Sequence, residues 1–111
     1  MTIRVYVAGP YSGGEPEMNV RVAVLAGDEL LNAGLVPFVP HLCHFWHYLC
    51  PRTYEEWMAY DLAWLEVCDC LLRLPGESSG ADAEVAEMER LGKPVFHLIA
   101  DVLEWAMALQ P

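Results

Sequence analysis

The chain has 111 residues, of which 55% are hydrophobic and 20% charged, a composition that predicts one globular domain over residues 1–111. Its six basic side chains are outnumbered by sixteen acidic ones, and the net charge of -10 disfavours polymeric nucleic acid and anionic membranes as partners. No apolar stretch approaches the roughly 20 residues that span a bilayer, and the N-terminal segment lacks a signal-length apolar run, so we expect a cytoplasmic protein.

The first third of the chain predicts a strand, a loop and a helix. Residues 3–8 are an apolar, β-branched run that ends at Gly9-Pro10, a pattern typical of a buried parallel strand leading into a glycine-rich loop. From residue 17 to residue 33 apolar side chains recur at helical spacing, and Gly34 follows as a helix stop.

The second strand is expected at or near an edge of the sheet. Residues 35–39 resume an apolar run, but Pro37 and Pro40 have no N–H to donate to a sheet ladder. Residues 40–53 then form a long connection rich in aromatic side chains and histidines, and connections of this length in compact domains are usually binding loops or lids.

The second half of the chain continues the alternation of helices and strands. Thr53 and Glu56 stand in capping-box register at the start of a helix that is expected to reach about Cys68. The remaining predicted elements are a strand over 70–74, a helix over 80–91, a strand over 94–99 and a helix over 101–109.

The element order βαβαβαβα predicts the fold class. It indicates an α/β fold, a three-layer α/β/α sandwich of the flavodoxin or Rossmann type on a mostly parallel sheet of four to five strands. In such sheets ligands bind outside the carboxyl ends of the strands, at the switch point of strand order. We therefore expect the ligand site in the loops after the first three strands.

The segment from Ser78 to Glu84 follows a strand and enters a helix, so it places Glu84 in the first helical turn. There the unpaired N–H groups and the helix dipole favour an ionised carboxylate, and the nearby Ser78, Ser79 and Gly80 offer hydroxyl and amide groups to a second anion. A fixed, ionised carboxylate suits a nucleophile. The alternative is a solvated acid on the helix surface.

Asp61 occupies an apolar face of the helix that begins after Thr53. A buried carboxylate must be hydrogen-bonded, or else its pKa rises and it can serve as an acid or base. A helix rotated so that Met58, Leu62 and Leu65 face the core would instead leave Asp61 in water. The other residues of the Asp61 face are Trp57, Trp64, Leu65 and Cys68.

Asp61 and Glu84 are the carboxylate pair that we expect to carry chemistry. A carboxylate nucleophile with a second carboxyl group that protonates or orients the substrate is the pairing used to cleave glycosidic bonds. The glycine-rich loop after the first strand lies at the expected ligand edge, and it matches neither of the two phosphate-loop fingerprints, G-x-x-x-x-G-K-[ST] and G-x-G-x-x-G. Its candidate binding residues are Gly9, Pro10, Tyr11, Ser12 and Gly13.

The connection after the second strand raises the question of a metal. Imidazole and thiolate groups are natural zinc ligands, but their spacing here does not match structural zinc sites, and interleaved aromatic rings favour stacking on a planar base. We therefore predict no metal, with His41 pointing into the cleft and Trp46 in an aromatic wall. The potential ligands are His41, Cys43, His44, His47 and Cys50.

Several motifs in order resemble one family. They are YVAGPYSGG after the first strand, PFVPH at the second strand, DLAWLEVCD across the following helix, SSGADAE, and LGKPV. From Tyr6 to about Phe96 the sequence resembles the nucleoside 2-deoxyribosyltransferase-like superfamily, which includes nucleoside 5′-monophosphate N-glycosidases and small bacterial and phage proteins.

The resemblance implies an enzyme that breaks the N-glycosidic bond of a nucleoside without a cofactor. It implies that Glu84 attacks the anomeric carbon and forms a glycosyl-enzyme ester, that Asp61 acts as acid and base near the leaving nucleobase, and that the loop Gly9 to Gly13 lies against base and sugar. It also implies a homodimer or higher homo-oligomer.

The resemblance leaves three functions open. Ser78, six residues before Glu84, matches the position that binds the 5′-phosphate in monophosphate hydrolases, which is the function we expect first. Those hydrolases have an arginine in the first loop where this chain has Ser12, a role that Arg52 or Arg73 would have to fill. The alternatives are a base-exchanging 2-deoxyribosyltransferase and a non-catalytic nucleotide-binding module of the same fold.

Overall fold

A computed structural model describes residues 1–110 of the protein. Its strands are β1 (Arg4–Ala8), β2 (Val36–Phe38), β3 (Cys70–Arg73) and β4 (Val95–Phe96). Its α-helices are α1 (Pro16–Asn32), α2 (Cys43–Leu49), α3 (Tyr54–Leu65), α4 (Ser79–Arg90) and α5 (Ile99–Leu109), and a 3₁₀ turn over Pro40–Leu42 precedes α2.

The four strands form one parallel sheet in the order β2-β1-β3-β4. This is the beginning of the flavodoxin-type order, whose switch point lies between β1 and β3. Strand β2 is at the edge of the sheet, as Pro37 and Pro40 predicted. The α/β three-layer fold class predicted from the sequence is therefore confirmed.

The sheet separates two clusters of buried side chains. Val5 and Val7 of β1 face the cluster that also contains residues of α1 and α5. Tyr6 and Ala8 face the opposite cluster, which contains Leu65 of α3 and residues of α4. This alternation follows from the period of two along a strand, and it places Tyr6 on the same side of the sheet as α3 and α4.

Local signals in the sequence set several helix ends. The Thr53 hydroxyl accepts the N–H of Glu56 while the Glu56 carboxylate accepts the N–H of Thr53, so the predicted capping box is present. Gly34 has φ of +88° just beyond α1, a conformation that glycine adopts without steric strain. Ser78 caps α4 by accepting the N–H of Ala81.

Several element boundaries differ from the predictions. The connection over 40–53 is not a loop throughout, because it contains the 3₁₀ turn and the helix α2. The helix after Thr53 ends at Leu65 rather than Cys68, and the strand predicted over 94–99 spans only Val95–Phe96. Helix α5 begins at Ile99, inside that predicted strand, because an apolar run of this length is compatible with either structure.

Candidate active site

A cavity of about 550 Å³ opens at the carboxyl ends of β1 and β3, the edge at which the topology predicts a ligand. The first loop, the connection after β2, helix α3 and the start of α4 all contribute to its walls. The residues that line it are Gly9, Tyr11, Ser12, Gly13, Pro40, His41, Cys43, His44, His47, Arg52, Tyr54, Trp57, Met58, Asp61, Glu77, Ser78, Ser79, Gly80, Ala81 and Glu84.

Glu84 forms the floor of the cavity, and the buried Tyr6 lies behind it. Glu84 is only 6% exposed, and its Oε2 accepts a hydrogen bond from the hydroxyl of the fully buried Tyr6. Burial raises the pKa of Tyr6 far above its ordinary value, and the neighbouring Glu84 carboxylate raises it further. The phenol therefore stays protonated and donates to Glu84.

Burial also raises the pKa of Glu84, from its usual 4.5 to about 7, against the lowering effect of the Tyr6 hydrogen bond. Helix α4 begins at Ser79, so Glu84 lies in the second turn and not in the first turn that the sequence predicted. The expectation of a carboxylate kept ionised by the helix terminus is wrong, because Glu84 lies beyond the first turn and burial is the largest influence on its pKa.

Asp61 lines the cavity on the α3 side. Its Oδ1 is buried and has no hydrogen-bond partner, and burial raises the pKa of its carboxyl group from 3.8 to about 6. Its charge contributes to the raised pKa of Glu84, so the two carboxyl groups interact electrostatically. A half-buried carboxyl group that holds its proton to near-neutral pH is suited to proton transfer.

The predicted apolar face around Asp61 is correct only in part. Leu65 is fully buried, but Trp64 is 46% exposed and stacks on Phe38 of the edge strand. Leu62 packs against the core, as the alternative rotation of the helix required. Asp61 itself is neither in the core nor in open water, because it lies where α3 borders the cavity.

His41 links the connection after β2 to the first loop through a hydrogen bond. Its ring is 4% exposed, and its Nε2 lies 3.0 Å from the carbonyl oxygen of Pro10, which can only accept a hydrogen bond. Burial lowers the pKa of His41, which makes the neutral ring with its proton on Nε2 the relevant form. Asn19 holds the same loop by donating to the carbonyl oxygens of Tyr11 and Gly13.

Helix α2 forms the rim of the cavity, and no residue within it is buried. Two histidines hold it in place. Tyr11 Oη lies 2.5 Å from His44 Nδ1, and Trp57 Nε1 donates to His47 Nδ1 at 2.8 Å. The rim therefore depends on side-chain hydrogen bonds to the first loop and to α3.

The side of the cavity at the start of α4 is polar. Ser78, Ser79 and Gly80 line it, and Gly80 lies against the Tyr54 hydroxyl, since a Cβ at this glycine would be 3.5 Å from it. Arg52 lines the same cavity and pairs with Glu56 at 3.0 Å.

Arg73 is not a lining residue. Its guanidinium group donates to the carbonyl oxygens of Leu74 and Gly76 and to Asp82. Of the two arginines considered from the sequence, Arg52 is thus the one at the cavity.

A profile of the family described as "Domain of unknown function (DUF7768)" matches residues 3–98. The chain belongs to this family. No curated protein sequence matches the chain.

Two solved structures share the fold of the chain. One is described as a 2-desoxiribosyltransferase from Leishmania mexicana, with a TM-score of 0.64, 16% identity and alignment of 84% of this chain to 61% of that chain. The other is a 2-deoxyribosyltransferase from Bacillus psychrosaccharolyticus, with a TM-score of 0.57, 24% identity and alignment of 83% of this chain to 69% of that chain. The nucleoside 2-deoxyribosyltransferase-like fold predicted from the motifs is confirmed, and the chain spans about three fifths of the Leishmania protein's length.

The catalytic and binding residues predicted from the sequence meet in the cavity of this family member, with two exceptions. Pro10 and Trp46 are not among the lining residues. Pro10 contributes its carbonyl oxygen to His41, and the Trp46 ring turns to Trp57 and Tyr60, with centroid distances of 5.2 and 5.6 Å. The aromatic wall predicted around Trp46 is therefore a contact between α2 and α3.

The sequence analysis missed Tyr6 as a site residue. The strand pattern predicts only that Tyr6 is buried, although a buried tyrosine hydroxyl usually finds a hydrogen-bond partner.

Cys43, Cys50, Cys68 and Cys70 are all free thiols. Within residues 1–110, no three His, Cys, Asp or Glu side chains group closely enough to hold a metal ion, and no helix is both long and apolar enough to cross a membrane.

Proposed function

We propose that the protein breaks the N-glycosidic bond of a nucleoside and transfers the sugar to a second nucleobase, in the manner of a 2-deoxyribosyltransferase. The observation that carries the proposal is the buried Glu84 carboxylate at the floor of the cavity, held by Tyr6 and close to Asp61. The fold shared with two transferases supports it. The site residues are part of the proposal.

In the first step, a Glu84 oxygen attacks the anomeric carbon of the sugar. A C–O bond forms, the C–N bond breaks, and its electron pair goes to the leaving nucleobase, to which Asp61 gives its proton. The Tyr6 hydroxyl holds Oε2 of Glu84, so that Oε1 remains available for the attack.

In the second step, a nitrogen of another base attacks the same carbon and the ester bond to Glu84 breaks. Asp61 takes the proton of the incoming base, which restores both carboxyl groups. Water in place of the second base would give hydrolysis through the same intermediate.

The reaction needs Glu84 ionised and Asp61 protonated, so the productive enzyme carries one proton on the pair. The raised pKa values, about 7 for Glu84 and about 6 for Asp61, place the single proton on Glu84 more often than on Asp61, so the productive form is the minor one of the two singly protonated forms. Activity should therefore pass through a maximum near pH 6 to 7. It should fall at lower pH as both groups gain protons and at higher pH as both lose them.

The second candidate function is hydrolysis of a nucleoside 5′-monophosphate. It is favoured by the polar side of the cavity, where Ser78 and the first residues of α4 meet the N-terminal end of a helix and Arg52 supplies a positive charge. In this case Arg52 takes the place of the arginine that the first loop lacks.

One screen separates the candidates. Nucleosides and their 5′-monophosphates are incubated with and without a second base, and products are identified by NMR, beside the Glu84→Ala variant. Transfer predicts a new nucleoside only when the second base is present, whereas hydrolysis predicts free sugar or sugar phosphate without it. Ligand binding with no turnover of any substrate would contradict both and leave a binding module.

A further inference from the structure

Arg73 is the last residue of β3, and its side chain is only 10% exposed although it does not line the cavity. Its guanidinium group donates to three acceptors, which are the carbonyl oxygen of Leu74, the carbonyl oxygen of Gly76 at 2.9 Å and the carboxylate of Asp82 at 3.0 Å. A guanidinium group can only donate, and these oxygens only accept, so the direction of each bond is fixed. The proposed reaction gives this side chain no role.

The three acceptors belong to successive parts of the chain. Leu74 and Gly76 lie in the connection between β3 and α4, and Asp82 lies in the first turn of α4. Removing a charged group from water is unfavourable unless its donors are satisfied, so the guanidinium group and its acceptors hold one another in place. One side chain thereby joins β3, the connection and the start of the helix that carries Glu84.

This connection packs along the first loop. The N–H of Leu74 donates to the carbonyl oxygen of Ala8 at 2.8 Å. Gly76 lies so close to Pro10 that a Cβ at this glycine would be 2.8 Å from Pro10 Cγ, and its φ of +113° is one that glycine adopts without strain. Pro10 in turn accepts the hydrogen bond of His41. The segments that follow β1, β2 and β3 are therefore joined to one another at the edge of the sheet where the cavity opens.

We infer that Arg73 is a positioning residue of the site: without lining the cavity, it holds the β3–α4 connection, and with it the first loop, in the arrangement that surrounds Glu84. The inference rests on the proposed function for its effect on turnover. The order of the two segments can be measured without any substrate.

The charge of Arg73 has a second consequence, for the ionisation of Glu84. Burial is the largest influence on the pKa of Glu84 and raises it. Of the neighbouring groups, the Tyr6 hydroxyl of β1 lowers this pKa, the Asp61 carboxyl group of α3 raises it and the Arg73 guanidinium group of β3 lowers it. Loss of the positive charge at position 73 should therefore raise the pKa of Glu84 further, whereas a lysine should not.

Two substitutions separate the hydrogen bonds of Arg73 from its charge. Arg73→Met keeps a long side chain but removes both. Arg73→Lys keeps the charge but replaces two donor nitrogens with one, which does not reproduce the planar fork. The matched control is Arg90→Met, which removes an exposed arginine that pairs with Glu87 within α4.

Turnover is measured at pH 6 and pH 8 with the substrate that the screen of nucleosides identifies. For Arg73→Met we expect KM to rise about tenfold, because the first loop and the connection both line the cavity. Its kcat/KM should also fall about two- to threefold more at pH 6 than at pH 8, because the ionised share of Glu84 decreases most at low pH. Arg73→Lys should combine a raised KM with the wild-type dependence on pH, and Arg90→Met should change neither.

Two measurements without substrate separate the failure of the inference from the failure of the proposed function. Amide hydrogen exchange over residues 9–14 and 74–80 should become several-fold faster in both Arg73 variants and stay unchanged in Arg90→Met. The pKa of Glu84, followed by NMR of its carboxyl carbon and assigned with Glu84→Gln, should rise in Arg73→Met and keep its wild-type value in Arg73→Lys.

Faster exchange in both segments together with the raised pKa supports the inference even if no nucleoside is cleaved. Wild-type exchange in Arg73→Met would overturn the inference even if cleavage is observed, and so would a wild-type KM in that variant. If Arg73→Met does not fold, Arg73→Lys decides, because the loss of the fork alone should loosen both segments.

Discussion

The floor and the rim of the cavity are built in different ways. The floor is Glu84 of α4, supported from behind by Tyr6 of the central strand β1, and both side chains are buried. The rim is α2, a helix with no buried residue that is attached through His44 and His47. The group that attacks the sugar in the proposed reaction thus lies on the most buried part of the site, whereas the rim has few contacts with the core.

This difference predicts two kinds of response to substitution. Changes at the floor and at its partner Asp61 should alter the rate of the chemical step and its pH dependence. Changes at the rim should alter KM and the choice of base while leaving the chemical step nearly intact.

The largest expected effect comes from Asp61→Asn, which removes the proton that the proposed reaction gives to the leaving base. We expect kcat/KM for ordinary nucleosides to fall by roughly 10² to 10⁴. A nucleoside of an N7-methylated purine already carries the positive charge that protonation would create, so its cleavage should change by no more than about threefold. Rates of base release measured by absorbance for both substrates check this.

The control for Asp61→Asn is Asp28→Asn, on the exposed surface of α1. It should leave both rates unchanged. An equally large loss for the methylated and the ordinary substrate would assign Asp61 a structural role and not that of an acid.

The next effect concerns stability. Burial raises the pKa of Glu84 from 4.5 to about 7, so the folded protein binds this proton more tightly than the unfolded chain. The contribution to stability is fully present below about pH 4.5 and is lost as the pH rises through about 7. The glutamine of Glu84→Gln cannot ionise. At pH 8 the free energy of unfolding of this variant should therefore exceed that of the wild type by about 2 to 3 kcal/mol.

Urea unfolding at pH 4 and pH 8 measures this difference. The gain should vanish at pH 4, where Glu84 is protonated in both the folded and the unfolded states. Glu89→Gln, on the exposed face of the same helix, serves as the control and should show no pH-dependent gain. A Glu84→Gln variant no more stable than wild type at pH 8 would mean that the carboxylate is well solvated.

Tyr6→Phe should have a smaller effect on the reaction. It keeps the packing of the ring and removes the hydrogen bond that lowers the pKa of Glu84, so that pKa rises. Activity at pH 6 should fall by about tenfold, and activity at pH 8, where Glu84 is ionised in a much larger share of molecules, should fall by only about twofold. A uniform loss at all pH values would indicate a change in geometry and not in protonation.

The architecture was predictable from the sequence because strand and helix periods alternate along the chain. The same periods brought Glu84 and the first loop to one edge of the sheet. The role of Tyr6 could not be predicted, because a strand pattern shows which face of the sheet a side chain lies on but not its hydrogen-bond partner. That partner, Glu84, is 78 residues further along the chain. The prediction that Trp46 faces a ligand is wrong because α2 is too short to show a helical period in the sequence. The direction in which the Trp46 ring points depends on its contact with Trp57 of α3.

The smallest expected effect tests the rim. Trp57→Phe keeps an aromatic ring but removes the N–H that donates to His47, so α2 should be held less firmly. We expect KM to rise about three- to fivefold with kcat within about twofold of wild type, because a neutral hydrogen bond contributes about 1 kcal/mol. Amide hydrogen exchange over residues 43–49 should become faster.

Trp105→Phe provides the control for the loss of an indole, because Trp105 lies on the opposite side of the sheet against Phe96. It should change neither KM nor the rate of hydrogen exchange over residues 43–49. A fall in kcat for Trp57→Phe, with KM unchanged, would mean that the rim also positions the reacting groups and that the division between floor and rim does not hold.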